Sequence, residues 1–257
     1  MTDMRSFKSR LRTGDLLVGT WVKTPSMIVT EVLAGTDLDV ICLDAEHAPF
    51  DRGVLDACLL ATRANAMPAL VRVPSAEPHQ ILNALDLGAN GILVPHVCTA
   101  GEARAAVNAS FYWPGGRGYA GSSRAANYTR RKMSEHIERS NATTSVIAQI
   151  EDREGIDNIE AICAVEEVDC VFVGRADLAV AYGVESASAP EVISASERVC
   201  AAARAAGRTV GMFVPDRKEL PKWRALGVSL FLLESDHTFL LRGAADLAAA
   251  VRDTVLK

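Results

Sequence analysis

The segment Ser145–Glu151, SVIAQIE, is a short apolar run that ends in polar side chains. Alternation along an extended strand places Gln149 and Glu151 on the same face at its carboxyl end. A second run, Val171–Leu178 (VFVGRADL), likewise leads from apolar residues to a carboxylate, Asp177. Buried parallel strands have this appearance, and they deliver polar groups to one edge of a sheet. The two segments therefore predict neighbouring parallel strands with carboxylates at their carboxyl ends.

Further apolar runs alternate with helical patterns along the 257 residues. The predicted strands are Leu17–Val22, Asp39–Leu43, Pro68–Arg72, Gly91–Val94, Ser145–Glu151, Cys170–Val173, Thr209–Phe213 and Leu230–Glu234. The predicted helices are Ser26–Ala34, Asp51–Asn65, Pro78–Leu87, Ala100–Ala109, Arg131–Asn141, Gly155–Val165, Ala176–Tyr182, Pro190–Ala206, Asp216–Leu226 and Thr238–Val255. Eight strand–helix units predict an α/β fold, a (β/α)₈ TIM barrel that forms a single domain over residues 1–257. A doubly wound open sheet is the alternative, and it would normally use fewer units.

Composition limits the classes of partner. A net charge of −5 argues against nucleic acid, which favours a basic surface. The six cysteines show no C-x-x-C pair and no zinc-type spacing, which indicates a reduced protein. No apolar signal region or run of membrane-spanning length is present. We therefore expect a cytoplasmic protein that acts on a small molecule, without nucleic-acid or membrane partners.

The carboxyl ends of barrel strands share one mouth, where catalytic residues lie. Polar residues collect at the predicted strand ends: Asp44, Glu46, His47, Arg72, Gln149, Glu151, Asp177 and Glu234. Glu151 and Asp177 offer oxygen ligands without cysteine or clustered histidine, which favours Mg²⁺, Mn²⁺ or Co²⁺. Two protein carboxylates leave coordination positions open for substrate and water. The alternative is that each carboxylate caps the helix that follows it.

Two further groups suit catalysis at this mouth. Arg72 ends an apolar strand, so its charge needs a carboxylate or an anionic ligand. A structural ion pair with Asp44 or Glu46 is the alternative interpretation. His47 follows both acids closely, so either could fix its tautomer and tune it as a base. The remaining histidines receive no role: His79, His96, His136 and His237.

Backbone groups and glycines add two expectations. The N–H groups of Ala176 and Asp177, at a predicted helix start, can bind a substrate carboxylate. The glycine-rich segment 115–118 (GGRG) lacks the lysine and hydroxyl residue of a P-loop. It is therefore interpreted as a mobile loop that covers the mouth.

Five motifs occur in a fixed order: Asp44–Pro49 (DAEHAP), Val71–Pro74 (VRVP), Asp86–Ala89 (DLGA), Gln149–Glu151 (QIE) and Gly174–Leu178 (GRADL). In this order and spacing they resemble the HpcH/HpaI family of class II pyruvate aldolases, as does the loop Phe111–Tyr128. The resemblance spans nearly the whole chain. It implies a barrel in which Glu151 and Asp177 hold a divalent metal that chelates pyruvate through its keto and carboxylate oxygens.

The same resemblance implies individual roles and an assembly. By carry-over, Arg72 stabilises the enolate oxygen, Gln149 lines the metal site, and His47 with Asp44 serves proton transfer. Family members are commonly hexamers with exchanged C-terminal helices. We therefore expect a homo-oligomer, a hexamer or trimer of dimers, in which Asp86 faces a neighbouring subunit's site.

The chain departs from the family pattern at three positions. Arg175 stands where the family often has proline, Ala179 where serine is common, and Ala48 where glycine is common. Arg175 borders the predicted carboxylate pocket. It is therefore expected to bear on the aldehyde preference rather than on the metal.

The predicted function is a metal-dependent aldolase that cleaves or forms 4-hydroxy-2-oxo acids through a metal-bound pyruvate enolate, with an aldehyde as the other product. A Schiff-base aldolase is one alternative, with Lys23 as the only lysine at a strand end. An acyl-CoA-ester lyase is another, but no basic phosphate-binding cluster is evident near the mouth. A non-catalytic barrel that binds an oxo acid is the third, and the complete set of polar strand ends argues against it.

Overall fold

The computed structural model describes residues 6–255, and eight parallel strands close into a barrel in chain order. The strands are β1 (Leu17–Val22), β2 (Val40–Asp44), β3 (Ala69–Arg72), β4 (Gly91–Val94), β5 (Ser145–Ile150), β6 (Cys170–Val173), β7 (Thr209–Met212) and β8 (Val228–Ser235). Each strand pairs with the next, and β8 pairs with β1 through Leu17 and Leu230. The predicted (β/α)₈ barrel is confirmed, and each predicted strand lies within two residues of the observed one.

Helices connect the strands around the outside of the barrel. They are α1 (Phe7–Arg12), α2 (Met27–Ala34), α3 (Arg52–Ala64), α4 (Pro78–Asp86), α5 (Ala100–Ser110), α6 (Met133–Thr143), α7 (Arg153–Asp157), α8 (Ile159–Cys163), α9 (Arg175–Tyr182), α10 (Pro190–Ala205), α11 (Leu220–Ala225) and α12 (Asp236–Val255). The predicted helix Gly155–Val165 is two short helices, because Asn158 ends α7 and begins α8 with a non-helical ψ of 10°. The short helix α1 was not predicted.

Apolar residues form two layers, as the alternation of strand side chains requires. Side chains that point inward fill the barrel, among them Leu70, Ile147 and Phe172. Phe7 and Leu11 of α1 are buried in this same inner cluster, so α1 packs against the interior of the barrel. The outward-pointing side chains of the strands pack against the helices and form the larger cluster.

The last helix is anchored at its start and exposed along its length. The Asp236 carboxylate accepts hydrogen bonds of 2.8 Å from the backbone N–H groups of Lys23 and Thr24, which fixes α12 to the end of β1. Its apolar side chains are largely exposed: Leu240, Leu241, Leu247, Val251 and Val255. Across residues 6–255, no helix combines the length and the apolar character that crossing a membrane requires.

Candidate active site

A cavity of about 380 Å³ opens at the carboxyl ends of the strands. It is lined by Trp21, Lys23, His47, Arg72, Gln149, Phe172, Gly174, Arg175, Ala176, Asp177, Phe213, Glu234, Ser235 and Thr238. The strand-end residues that the sequence singled out therefore come together here, with Asp44, Glu46 and Glu151 in contact with the lining. Asp86 does not join them.

Strand pairing places Asp44 beside Arg72 on β2 and β3. The Arg72 guanidinium donates from Nε to Oδ1 of Asp44 at 2.9 Å and from Nη2 to Oδ2 at 2.8 Å. Its Nη1 lies 3.2 Å from Oε2 of Glu46, and its Cζ lies 4.5 Å from the centre of the Trp21 ring. Arg72 thus forms the ion pair that was considered as its structural interpretation, and it also lines the cavity.

The ion pair with Arg72 keeps the Asp44 carboxylate ionised. Burial acts to raise the pKa of this carboxyl, but the hydrogen bonds and charge of Arg72 outweigh burial and hold the pKa below its usual value. Lys23 adds a second cation, with Nζ 3.4 Å from Oδ2 of Asp44. Asp44 is therefore an anion that orients two cationic side chains at the mouth.

Gln149 and Glu151 project to the same side, as alternation along β5 predicts, and Nε2 of Gln149 donates to Oε2 of Glu151. Both are buried, and Oε1 of Gln149 has no hydrogen-bond partner among the described residues. Burial raises the pKa of Glu151 to about 7; the nearby Asp177 carboxylate adds to this, while the His96 N–H opposes it. A carboxylate in this setting needs a cation to remain charged at neutral pH.

Asp177 lies in the first turn of α9, directly after Gly174. The capping alternative is not supported for either carboxylate: α9 has no side-chain cap bond, and neither has α7, which follows Glu151. Gly174 closes this part of the site tightly, because a Cβ at this position would lie 2.6 Å from Oε2 of Glu151. The exposed N–H end of α9, at Ala176 and Asp177, faces the cavity.

These donors fit a hard divalent cation. The buried Glu151, the neighbouring Asp177 and the unpartnered Oε1 of Gln149 are all oxygen donors, which Mg²⁺, Mn²⁺ and Co²⁺ accept. Within residues 6–255, no three His, Cys, Asp or Glu side chains come together as a metal site. Glu151 and Asp177 are the two carboxylates that would hold such an ion, and two protein ligands leave positions for substrate and water.

His47 lies on the loop after β2, and its side chain is 54% exposed. Its Nε2 lies 3.5 Å from Oε2 of Glu46, whereas Asp44 contacts only its backbone, accepting from the N–H at 3.3 Å. Of the two acids considered as partners of the imidazole, Glu46 is therefore the one that approaches it. Asp44 positions the loop.

His96 was given no role, and the structure shows that it nevertheless lies among carboxylates at the mouth. Its Nδ1 lies 2.8 Å from Oδ2 of Asp152, and its backbone N–H donates to Oε1 of Glu151 at 3.0 Å. The hydrogen bond to Asp152 raises the pKa of His96, against the effect of burial. His96 directly follows the strand GILV and a proline, so applying the strand-end rule to β4 would have found it.

Two groups from the sequence analysis lie away from this mouth. Asp86 ends α4 and accepts from Nη2 of Arg117, at the opposite end of the barrel. The glycine-rich segment 115–118 contains Arg117, which contacts Asp86 and lines a cavity with Asn90 and Thr144, so the segment lies at that end and does not cover the mouth of its own chain. Whether Asp86 serves a neighbouring subunit stays a prediction.

Arg175 borders the cavity only through its backbone position, because its side chain turns into the protein. It is 1% exposed, and Nη1 donates to Glu219 at 2.9 Å. Nε and Nη2 donate to the carbonyl of Ala187, and the guanidinium lies over the Trp223 ring. Its expected influence on the aldehyde preference has no support in this geometry.

Comparison with known proteins shows the family of the chain. The model of the family described as HpcH/HpaI aldolase/citrate lyase matches residues 17–241. A hydroxypyruvate/pyruvate aldolase of Paraburkholderia phytofirmans is 35% identical over 95% of this chain and 96% of its own. A 5-keto-4-deoxy-D-glucarate aldolase of Klebsiella pneumoniae is 38% identical over 96% of both chains.

A solved structure shares the fold as well. The crystal structure of an HpcH/HpaI aldolase/citrate lyase family protein from Burkholderia cenocepacia superposes with a TM-score of 0.90 at 37% identity, covering 95% of this chain and 98% of that one. The family match spans all eight strands and the residues of the mouth. The chain belongs to the HpcH/HpaI aldolase/citrate lyase family and is a carbon–carbon lyase.

Proposed function

We propose that the protein is a divalent-metal-dependent aldolase that cleaves or forms 4-hydroxy-2-oxo acids, with pyruvate and an aldehyde as the two smaller partners. The observation that carries the proposal is the buried pair of Gln149 and Glu151 beside Asp177, facing Arg72 across one cavity. The related proteins named for hydroxypyruvate, pyruvate and 5-keto-4-deoxy-D-glucarate support an oxo acid as the substrate class.

Different groups at the mouth would bind the metal ion and the carboxylate of the substrate. Glu151 and Asp177 would hold Mg²⁺, Mn²⁺ or Co²⁺, which supplies Lewis-acid polarisation of the keto group when it is bound. The backbone N–H groups of Ala176 and Asp177 bind the carboxylate of the oxo acid at the start of α9. Gln149 fixes Glu151 through its amide.

Cleavage requires one proton to leave and another to arrive. A base removes the proton of the C4 hydroxyl, the C3–C4 bond breaks, and its electron pair moves toward the former keto oxygen. The aldehyde forms at C4, and C3 then accepts a proton to give pyruvate. We assign the proton transfers to His47, whose loop Asp44 holds, and the stabilisation of the oxygen's developing charge to Arg72.

The alternatives differ from this proposal in what they need at the mouth. A Schiff base would use Lys23, whose Nζ is held in an ion pair 3.4 Å from Oδ2 of Asp44. An acyl-CoA ester would favour basic groups for its phosphates, whereas the cavity that five arginines line lies at the other end of the barrel. We also propose a cytoplasmic homo-oligomer, a hexamer or trimer of dimers.

Metal removal and trapping with borohydride test the proposal together. After chelation and verified metal loss, retro-aldol cleavage of a panel of 4-hydroxy-2-oxo acids should disappear, and Mg²⁺, Mn²⁺ or Co²⁺ should restore it. Borohydride added with pyruvate should leave Lys23 unmodified in mass spectrometry. Full activity without metal, or a covalent pyruvate adduct on Lys23, would refute the metal mechanism. Cleavage of 3-hydroxyacyl-CoA esters but not of oxo acids would favour the acyl-CoA alternative.

A further inference from the structure

A second cavity of about 210 Å³ lies at the end of the barrel opposite the mouth. Asn90 and Thr144 form part of its wall, and they immediately precede β4 and β5. Segments that lead into parallel strands lie at the amino end of a barrel, away from the catalytic face. We term it the arginine cavity, because its wall includes Arg63, Arg117, Arg124, Arg131 and Arg139.

The charge of this wall is one-sided. Five arginines line it, and no aspartate or glutamate does so in the part of the chain that the structure describes. Three of the arginines have carboxylate partners behind the wall: Arg117 with Asp86, Arg124 with Asp56, and Arg131 with Glu135. Arg63 and Arg139 have no carboxylate within 4.0 Å among residues 6–255. The cavity therefore carries an excess of positive charge that nothing inside it neutralises.

Two buried nitrogen atoms in the wall lack partners. Nε of Arg117 and Nδ1 of His136 make no hydrogen bond to any described residue, although the two residues are only 6% and 2% exposed. Nη2 of Arg117 is occupied by Asp86, which leaves the Nε edge of the guanidinium available. A buried donor that is left unpaired destabilises the protein, so such atoms indicate a missing acceptor.

The state of His136 fits an acceptor as well. Its Nε2 lies 3.3 Å from the Tyr112 hydroxyl, which can donate to it. Burial lowers the pKa of His136, and the charges of Arg117 and Arg131 lower it further, so the ring is neutral. When Tyr112 donates to Nε2, the single ring proton lies on Nδ1, which is the unpartnered atom.

We propose that the arginine cavity binds a small oxyanion of the phosphate class, either inorganic phosphate or the phosphate group of a small monoester. Guanidinium groups match phosphate oxygens with paired, charge-assisted hydrogen bonds. The cavity is smaller than the roughly 300–1,000 Å³ of sites for larger ligands, which suits a tetrahedral ion with few further atoms. The cavity lies at the end of the barrel opposite the mouth of its own chain, and phosphate binding there does not depend on the proposed aldolase activity.

Calorimetric titration of the intact protein with inorganic phosphate tests the proposal. We expect saturable binding of one phosphate per chain in wild type. The double variant Arg63→Gln/Arg139→Gln should bind phosphate with an affinity reduced by a factor of about ten or more, because each substitution removes a charged donor. Both arginines are exposed, so the variant should keep the wild-type melting temperature. Arg104→Gln removes an exposed arginine that does not line the cavity and should leave the affinity unchanged.

Two further experiments distinguish inorganic phosphate from a phosphate monoester, and binding in the arginine cavity from binding at the mouth. Glycerol 3-phosphate that displaces phosphate shows that the cavity accepts monoesters, whereas failure to displace it assigns the site to inorganic phosphate. Arg72→Lys, altered at the mouth, should bind phosphate normally. If the wild-type protein shows no saturable binding at phosphate concentrations up to roughly 10 mM, the proposal is overturned. Equal weakening in Arg104→Gln, or weakening in Arg72→Lys alone, overturns it too.

Discussion

The guanidinium of Arg72 meets the carboxylate of Asp44 edge to edge, through hydrogen bonds of 2.9 and 2.8 Å between neighbouring strands. The ring of Trp21 supports the guanidinium from one face. Since these contacts are made by the protein's own side chains, Arg72 is held in place before charge develops in a reaction. Donors arranged in advance stabilise a transition state without a cost of reorganisation.

Arg72→Lys should lose turnover while the protein stays folded. Lysine offers a point charge on a flexible stem and cannot form the paired contact with Asp44. Removal of one such donor typically costs about 3–4 kcal/mol of transition-state stabilisation, or roughly two to three decades in rate. Turnover, melting temperature and metal content should be measured on one preparation.

A matched control is available at the rim. Arg217 has a side chain that is 70% exposed, so Arg217→Lys should keep wild-type turnover. If Arg72 were only an ion-pair partner, Arg72→Lys would melt at a lower temperature and yet retain its turnover per folded molecule. That result would remove Arg72 from the mechanism.

Asp86 and Arg72 should complement each other between subunits. Asp86 pairs with Arg117 at the end of the barrel opposite its own mouth, so it can serve only a neighbouring subunit's site. We expect Asp86→Asn and Arg72→Lys each to be poorly active. Mixed oligomers of the two should recover activity, because some mouths then combine an intact Arg72 with a neighbour's intact Asp86.

Subunit exchange followed by activity and sedimentation measurements checks this expectation. Each variant incubated with wild type provides the control for exchange itself. Mixed oligomers without recovered activity would show that the two residues act within one subunit or that Asp86 takes no part. A fully active wild-type monomer at assay concentration would refute a shared site altogether.

Arg175→Met should lower stability and leave specificity alone. The buried guanidinium donates to Glu219 and to the Ala187 carbonyl, and its loss leaves both acceptors partly unpaired. We expect the free energy of unfolding to fall by about 2–3 kcal/mol in urea titrations. Arg198→Met, which breaks a pair exposed to solvent, should cost under about 1 kcal/mol. A changed ratio of activities toward different aldehydes in Arg175→Met would contradict this view.

Cys98 should react slowly with iodoacetamide although it is partly exposed. Burial, with the Asp152 and Glu102 carboxylates, raises the pKa of Cys98 to about 12. The reactive thiolate is therefore scarce at pH 8, and alkylation should be roughly a thousandfold slower than for a free thiol of pKa about 8.5. The rate should climb tenfold per pH unit well above pH 8. Mass spectrometry of native and urea-unfolded protein measures both rates; equal rates would contradict the expectation.

Much of the fold and part of the site follow from local sequence. Each strand is a short apolar run between turn residues, so the barrel and the common face of Gln149 and Glu151 could be predicted. The position of His96 after β4 follows from the sequence, but its acidic contacts could not be predicted locally, because Glu46 and Asp152 come from other loops. The inward turn of Arg175 likewise depends on Glu219 and Trp223, which are distant in sequence.

The exposed apolar face of α12 has a consequence for handling the protein. Contiguous apolar surface in water promotes self-association unless a partner covers it. A variant made monomeric by altering other contacts would therefore carry Leu241, Leu247 and Val255 into solution uncovered. Such a variant should aggregate increasingly as its concentration rises, even if the barrel itself is unchanged. Replacing these three side chains with polar ones is thus the step that a soluble single-subunit form requires.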